Sequence, residues 1–378
     1  MDRSCLWLIA ERRPSRWLKR AKNSMRIAQV APLEESVPPR LYGGTERVIA
    51  WLTEELIGLG HEVTLFASGD SQTRATLVPV WPRAVRFGRP RLNTIIAQTA
   101  LVETVARRAP DFDVIHWHTD WLHLPLCSRL KVPSVTTLHG RLDLPGLSEA
   151  LRHFPHAPFI SISHSQRAPL GNVNWLGTVY HGLPPDSLQA CFEPGSYLAF
   201  LGRLTPEKGP ETAIRLARFA GMPLRIAAKL PHSERRYFEE RVLPLIESDG
   251  IQFIGEINGR NKERFLAEAA ALLFPIKWPE PFGLVMIEAM ACGTPVIAFR
   301  RGSVPEVIEE GVTGFIVENE KEARRAIRRL PELDRRGVRS GFEQRFSARR
   351  MAEDYVRYYR MLNGCVSGNR LRTDQVMI

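Results

Sequence analysis

Apolar and polar positions alternate in blocks from Met25 onward. MRIAQVAP (25–32) is an apolar run of strand length that leads into a glycine loop. From Glu46 to Leu59 the apolar residues recur at helical spacing, and Gly60 ends that helix. The strand VTLFAS comes next, then a helix near Leu92–Arg108, the strand FDVIHWH, a helix near Leu122–Leu130, and the strands SVTTLH, FISIS and GTVY. GLPPDSLQACFEPG (182–195) is rich in Pro and Gly and reads as a linker. The rhythm then restarts with the strand YLAFLG, a helix over Pro210–Ala220, and the strands PLRIAA, IQFIG, ALLFP and TPVIAF with helices between them. A long amphipathic helix over Ala348–Leu362 closes the pattern.

Strands alternating with helices predict parallel sheets covered on both faces. The expected class is α/β, with two doubly wound Rossmann-like domains at residues 25–185 and 186–346 facing each other across a cleft. The terminal helix takes 347–362, and residues 363–378 read as an unstructured tail. In such sheets ligands bind outside the carboxyl ends of the strands, so the chemistry belongs in the cleft.

Residues 1–24 are basic and broken by Pro14. They are either a weak amphipathic membrane contact through Trp7, Leu8 and Trp17, or a misassigned start upstream of Met25. No apolar run approaches the roughly 20 residues of a membrane span, and the run Cys5–Ala10 is too short for a signal-peptide core. The expected location is cytoplasmic; the basic charge reads first as solvated surface, with peripheral contact at the inner face of an anionic membrane as the alternative. The net charge of +11 suits anionic partners, but it is scattered over probable helix faces. No nucleic-acid-binding pattern appears, so nucleic acid is not expected. Five widely spaced cysteines without a C-x-x-C argue against a disulfide framework or a zinc site.

Two segments carry candidate chemistry. In LGRLTPEKGPETAI (201–214), Arg203 and Lys208 follow the first strand of the second domain. Two cations above a sheet suit a diphosphate, although loop surface charges would look the same. In EPFGLVMIE (280–288), Glu280 precedes a Pro-Phe-Gly turn and Glu288 sits within an apolar run. A helix starting near Gly283 or Leu284 points free N–H groups at the cleft, a ready anion site. A carboxylate one turn further in can accept two hydroxyl hydrogen bonds, as a ribose diol offers, and that offsets its burial.

E-x7-E with an inner PFG resembles the retaining glycosyltransferases of the GT-B fold, family 4 (glycosyl transferases group 1). GRLTPEKG upstream, and MACGTPVIA, RGSVPEVI and GVTGFIV downstream, add to the resemblance, which covers about residues 25–362. It implies that Arg203 and Lys208 hold the donor's diphosphate and that Glu288 binds the ribose. It gives Glu280 the transferred sugar, with the backbone of Phe282, Gly283 and Leu284 close by. Gly43 and Gly44, in LYGGTERVIAWL, become the loop that meets the donor, and His139, ending VTTLH, lies against the sugar. His118, Asp120 and Trp121 are candidates for the acceptor side. Ser163 and Arg167, from ISISHSQR, are candidates for the cleft floor.

No metal or cofactor is implied beyond a nucleotide diphosphate sugar as co-substrate. UDP-glucose is the first choice by family frequency, with a lipid, polysaccharide or small-metabolite hydroxyl as acceptor. Asp111-Phe112-Asp113 spells the metal-binding D-x-D of a different glycosyltransferase fold, but here it opens a strand at the end away from the cleft. His116 and His118 alternate on a strand with no carboxylate cluster beside them. Where many relatives carry Asn-Gly, this chain has His181-Gly182. The rival readings are a nucleotide-sugar epimerase on the same fold and a non-catalytic protein that binds anionic surfaces.

Overall fold

The structure is a computed structural model and describes residues 24–40, 43–88, 93–246, 250–257 and 259–373. The basic extension (residues 1–23) and residues 374–378 lie outside the described residues. Two parallel sheets carry the chain. The first comprises β1 (Arg26–Val30), β2 (Glu62–Ser68), β3 (Thr76–Trp81), β4 (Val114–Trp117), β5 (Ser134–Thr137), β6 (Phe159–Ser161) and β7 (Trp175–Thr178). Its spatial order is β3-β2-β1-β4-β5-β6-β7. The second comprises β8 (Tyr197–Arg203), β9 (Leu224–Lys229), β10 (Ile251–Gly255), β11 (Ala269–Phe274), β12 (Val296–Phe299) and β13 (Gly314–Val317), in the order β10-β9-β8-β11-β12-β13. Strand order reverses beside the first strand of each sheet, between β1 and β4 and between β8 and β11. Such switch points open a crevice at the strands' carboxyl ends.

The helices that matter most here are α1 (Gly44–Gly58), α2 (Thr94–Arg108), α3 (Pro210–Ala220), α4 (Gly259–Ala267), α5 (Leu284–Ala291), α6 (Glu320–Arg328), α7 (Arg335–Arg345) and α8 (Ala348–Thr373). Central strands such as β1 and β11 are near-continuous apolar runs because both of their faces are covered.

Three elements differ from the sequence reading. Strand β3 was not foreseen, because Pro79 interrupts TLVPVW; it is tolerated because β3 is an edge strand, paired only with β2. The helix expected over Leu122–Leu130 is only a turn, Leu124–Cys127. Leu124 is buried but Leu122 is exposed, so no apolar stripe supports more turns. Helix α8 runs through Asn363 to Thr373, where an unstructured tail was expected. Gly364 and Gly368 weaken a helix by about 1 kcal/mol each without stopping it, and no proline intervenes.

The chain crosses between the domains twice, and the two crossings lie side by side. Leu183 N–H donates to Phe346 O at 3.0 Å, and Ala348 N–H donates to Leu183 O at 3.0 Å. The Arg350 guanidinium ties the return crossing to the carbonyls of Tyr180 and His181 at 2.8 and 3.1 Å. Beyond the crossing, α8 buries Met351, Tyr355 and Tyr359 against Ile27, Val48 and Leu52 of the first domain. The contact requires a glycine at 182, where a Cβ would stand 2.3 Å from Ser347 O. Gly182→Ala is therefore expected to cost about 1–3 kcal/mol, the usual range for overpacking, read as a lower denaturant midpoint. An unchanged midpoint would mean that the crossings separate freely.

Candidate active site

Strand β8 delivers Arg203 to its carboxyl end, and the following loop turns back at Gly209 into α3. A Cβ at Gly209 would lie 2.3 Å from Pro275 O, and its φ of 71° is left-handed, so the loop presses against the end of β11. That approach brings Lys208 to Glu280. The ammonium donates to Glu280 Oε2 at 2.5 Å and lies 5.0 Å from the Trp278 ring centroid. Arg203 pairs with Glu207 at 3.7 Å, and its Nε is buried without a partner among the described residues.

Glu280 opens the turn into α5. Ser303 pins that turn, with N–H to Glu280 O at 2.9 Å and Oγ to Phe282 O at 2.8 Å. Gly283, at φ 79°, leads into the helix. One turn in, Glu288 is 3% exposed among fully buried Met286, Ile287, Ala289 and Met290. Lys262 of α4 donates to Glu288 Oε1 at 2.5 Å, and Arg47 of α1 reaches the same oxygen at 3.5 Å. The charge is thus offset by a partly buried lysine and by an arginine from the other domain.

Opposite, the Gly43-Gly44 backbone comes close to the start of α5: a Cβ at Gly44 would lie 3.3 Å from Leu284 Cδ1. His139, just past β5, completes this wall. The two walls enclose a cleft of about 490 Å³. Gly43, Gly44, His139, Arg203, Lys208, Glu280, Phe282, Gly283, Leu284 and Glu288 all line it.

Residues 189–344 match the family model described as glycosyl transferases group 1, and residues 42–172 match glycosyltransferase family 4. Together the two matches take in most of the chain. The chain belongs to the family 4 glycosyltransferases. It is 27% identical over 338 residues to the D-inositol 3-phosphate glycosyltransferase of Mycolicibacterium smegmatis, covering 73% of this chain and 75% of that one. AviGT4, a glycosyltransferase involved in avilamycin A biosynthesis, superposes with a TM-score of 0.69 at 27% identity, over 90% of this chain and 98% of that one. Anabaena HepE, solved in complex with UDP and glucose, shares the fold with a TM-score of 0.67 at 20% identity, over 88% and 99%.

The remaining candidates of this glycosyltransferase lie elsewhere. His118 stands behind His139, bonded to it at 2.9 Å. Asp120 and Trp121 are exposed and are not among the residues lining the cleft. Ser163 and Arg167 are likewise not among the residues lining the cleft, and their side chains are engaged elsewhere. Ser163 Oγ donates to Pro281 O at 2.6 Å, clamping the turn before α5 across the domain boundary. Arg167 donates to Ser161 Oγ at 2.7 Å and lies over Trp175 at 5.3 Å from the ring centroid. Asp113 of the D-x-D spelling holds Arg26, accepting from its N–H at 2.8 Å and its guanidinium at 2.9 Å, at the far end of the sheet.

The sequence reading missed Lys262, Arg47, His181 and Glu46, all of which line the cleft. Lys262 had a legible signal: it stands three and four residues before buried Phe265 and Leu266, so it is a lysine on an apolar helix stripe.

Burial pushes His139 down to about 3, and burial together with neighbouring rings holds His116, His118 and His181 well below the ordinary histidine value. This wall is neutral. Glu46, in the first turn of α1, is pushed up to about 7 by burial, with Glu35 and Glu34 adding to the shift. A raised folded-state value means that the proton is held more tightly in the native state. That stabilisation is fully present below about pH 4.5 and is lost as pH rises through 7. Glu46→Gln should therefore melt like the parent near pH 4.5 and be more stable by up to roughly 3 kcal/mol at pH 8. A difference that does not vary with pH in thermal melts would refute the assignment.

Proposed function

We propose that this glycosyltransferase moves a hexose, glucose being the first choice, from a nucleotide diphosphate sugar to a hydroxyl acceptor with retention of anomeric configuration. The observation that carries the reading is the Lys208–Glu280 pair beneath Arg203, at the carboxyl end of β8 and facing the start of α5. A diphosphate laid there meets two side-chain cations and free N–H groups at a helix N-terminus. Glu280 is then within reach of the sugar, and Glu288 lies further along the cleft for the ribose. The UDP and glucose found with HepE suit this layout, and UDP-glucose is the donor to try first.

The acceptor oxygen bonds to the anomeric carbon as the bond from that carbon to the diphosphate oxygen breaks. Both events occur on one face of the sugar, through an oxocarbenium-like state, and the leaving phosphate oxygen takes the acceptor's proton. Lys208 and Arg203 stabilise the charge growing on the diphosphate, so catalysis rests on electrostatics and positioning without a bound metal or cofactor. The acceptor is a lipid, polysaccharide or small-metabolite hydroxyl. The inositol phosphate named for the Mycolicibacterium smegmatis relative heads the acceptor panel. Among the described residues no helix is long and apolar enough to cross a membrane. Peripheral contact with an anionic membrane remains part of the proposal for lipid acceptors.

Thermal shift with UDP-, GDP- and ADP-sugars, with and without EDTA, tests the donor. A ligand at 100 times its Kd should stabilise the protein by about 2.7 kcal/mol, with one base preferred and no effect of EDTA. No shift with any of them would reject the reading. Glu288→Gln is expected to weaken donor use by about 1.5–3 kcal/mol; unchanged donor affinity and turnover would remove the ribose role. Lys208→Ala is expected to lower kcat more than it raises the donor Kd, because the charge it faces grows toward the transition state. An effect on binding alone would remove Lys208 from catalysis.

A further inference from the structure

Trp278 lines the cleft half-buried, on the loop between β11 and α5. Phe274 and Phe282 line it too, but they are 5% and 2% exposed and belong to the core of the second domain. The indole Nε1 is buried from solvent, so what Trp278 offers the cleft is ring surface and not its N–H. Two cations lie against that ring, one from each domain. Lys208 Nζ stands 5.0 Å from its centroid, and the guanidinium carbon of Arg141, from the first domain, stands 5.1 Å from it.

The two contacts differ in kind. Lys208 is fixed by its bond to Glu280. Arg141 is held by Asp143 of its own loop, through Nε at 2.8 Å and Nη2 at 2.6 Å, and its side chain is 49% exposed. The base of that loop is firm. Gln166 Nε2 donates to Leu138 O at 2.8 Å and to Gly140 O at 2.9 Å, and the neighbouring Leu142 is buried. An exposed guanidinium on an indole is a weak contact. Rotation of that one side chain uncovers the ring without moving the backbone beneath it.

The place of the pair decides what would lie there. Trp278 stands two residues before Glu280, and Arg141 two residues after His139, the residues that the family resemblance sets against the transferred sugar. Gly140, Lys277 and Pro279 beside them are exposed, so this is the solvent edge of the cleft. A second substrate entering next to the transferred sugar passes the indole. A pyranose or cyclitol ring carries hydroxyls on its rim and an apolar face of C–H bonds. The electron-rich face of an indole attracts those polarised C–H bonds as it attracts the cations against it. We propose that Trp278 is the stacking platform of the acceptor, and that the acceptor hydroxyl is carried by a pyranose or cyclitol ring, which displaces the Arg141 guanidinium from the indole. This rests on the reading of the cleft as a sugar-nucleotide site and names the acceptor class for it.

The test has two readouts. The first uses protein labelled with 5-fluorotryptophan and saturated with whichever of UDP, GDP and ADP binds, the Trp278 resonance being assigned by its loss in Trp278→Phe. A panel of methyl pyranosides and inositols should contain members that shift this resonance, and glycerol at the same concentration should not. A resonance indifferent to every ring polyol, or shifted equally by glycerol, overturns the platform. The second readout is kinetic, with a ring acceptor that is turned over. Trp278→Leu should raise the acceptor KM about tenfold or more and leave the nucleotide Kd within about threefold, while Trp278→Phe should keep the acceptor KM within about threefold of the parent. Arg141→Ala should lower the acceptor KM about two- to fivefold, because a weak contact no longer competes for the ring.

A Trp278→Leu loss confined to kcat, with the acceptor KM unchanged, marks a disturbance of Lys208 and overturns the platform. Turnover confined to acyclic alcohols overturns the acceptor class. Nucleotide binding with a Trp278 resonance that no ring polyol moves refutes the platform and leaves the proposed function standing. Binding of none of the three nucleotides refutes the proposed function, and the platform with it.

Discussion

Two carboxylate–lysine pairs organise the cleft. Glu288 could not sit inside the apolar body of α5 unless its charge were met, and Lys262 meets it at 2.5 Å from the neighbouring helix. Glu280 is met in the same way by Lys208. Buried pairs of this kind add little net stability, because desolvation consumes most of the attraction, but removing one partner strands the other. Their value lies in placement. Each lysine is held at a defined point before any ligand arrives, so little reorganisation remains when charge develops there. In the proposed reaction a diphosphate entering the cleft would compete with Glu280 for Lys208, and the sugar hydroxyls would take up the acceptor capacity that Glu280 gives back.

The pairs also bear on how the domains meet. Glu288 belongs to the second domain, yet Arg47 of the first reaches it at 3.5 Å. Ser163 likewise spans the boundary to hold Pro281 O, and the Glu306 carboxylate accepts from the N–H groups of His164 and Ser165 at 2.7 Å each. These contacts gather around the start of α5, at the centre of the donor side. The covalent connections gather at Gly182–Leu183 and Phe346–Ala348, where two crossings share two hydrogen bonds. Relative movement of the domains must therefore turn about that paired crossing while breaking or remaking the polar contacts at α5. Whatever occupies the cleft meets the residues that hold the halves together.

The second-domain wall of the cleft was legible because it is written in contiguous stretches. Residues 201–214 and 280–288 each run from the carboxyl end of a strand into a helix, so spacing alone places their charges at the cleft. An acid inside an apolar run, as at Glu288, announces burial and a partner. The partner itself was harder to read, because Lys262 pairs across 26 residues and only its place on an apolar stripe marked it. The first-domain wall was poorly legible for a related reason. Ser163, Arg167 and Asp120 have the chemistry of contact residues, but tertiary packing decides whether such side chains face the cleft, clamp a turn or lie in solvent. His181 was visible only as a departure from a pattern; its stacking on His139 follows from how the crossing is packed. Strand β3 and the end of α8 escaped because a proline at a sheet edge and two glycines in a helix are weaker stops than they look.

The two walls differ in electrostatic character, and the difference suits the proposed chemistry. On the diphosphate side, charge is abundant and paired. On the first-domain wall, His116, His118, His139 and His181 lie in a row, each kept neutral chiefly by burial. In the proposed reaction a protonated imidazole there would stand close to an anomeric centre that gains positive charge as the leaving group departs. The repulsion would act directly on the transition state, in a medium that screens it far less than water does. Neutral rings supply hydrogen-bonding atoms without that penalty. Since burial holds their titration well below the ordinary histidine value, the wall keeps this character at neutral pH. His116 is tied to Tyr359 OH at 2.7 Å and to Thr137 Oγ1 at 2.8 Å, which fixes its ring behind the wall.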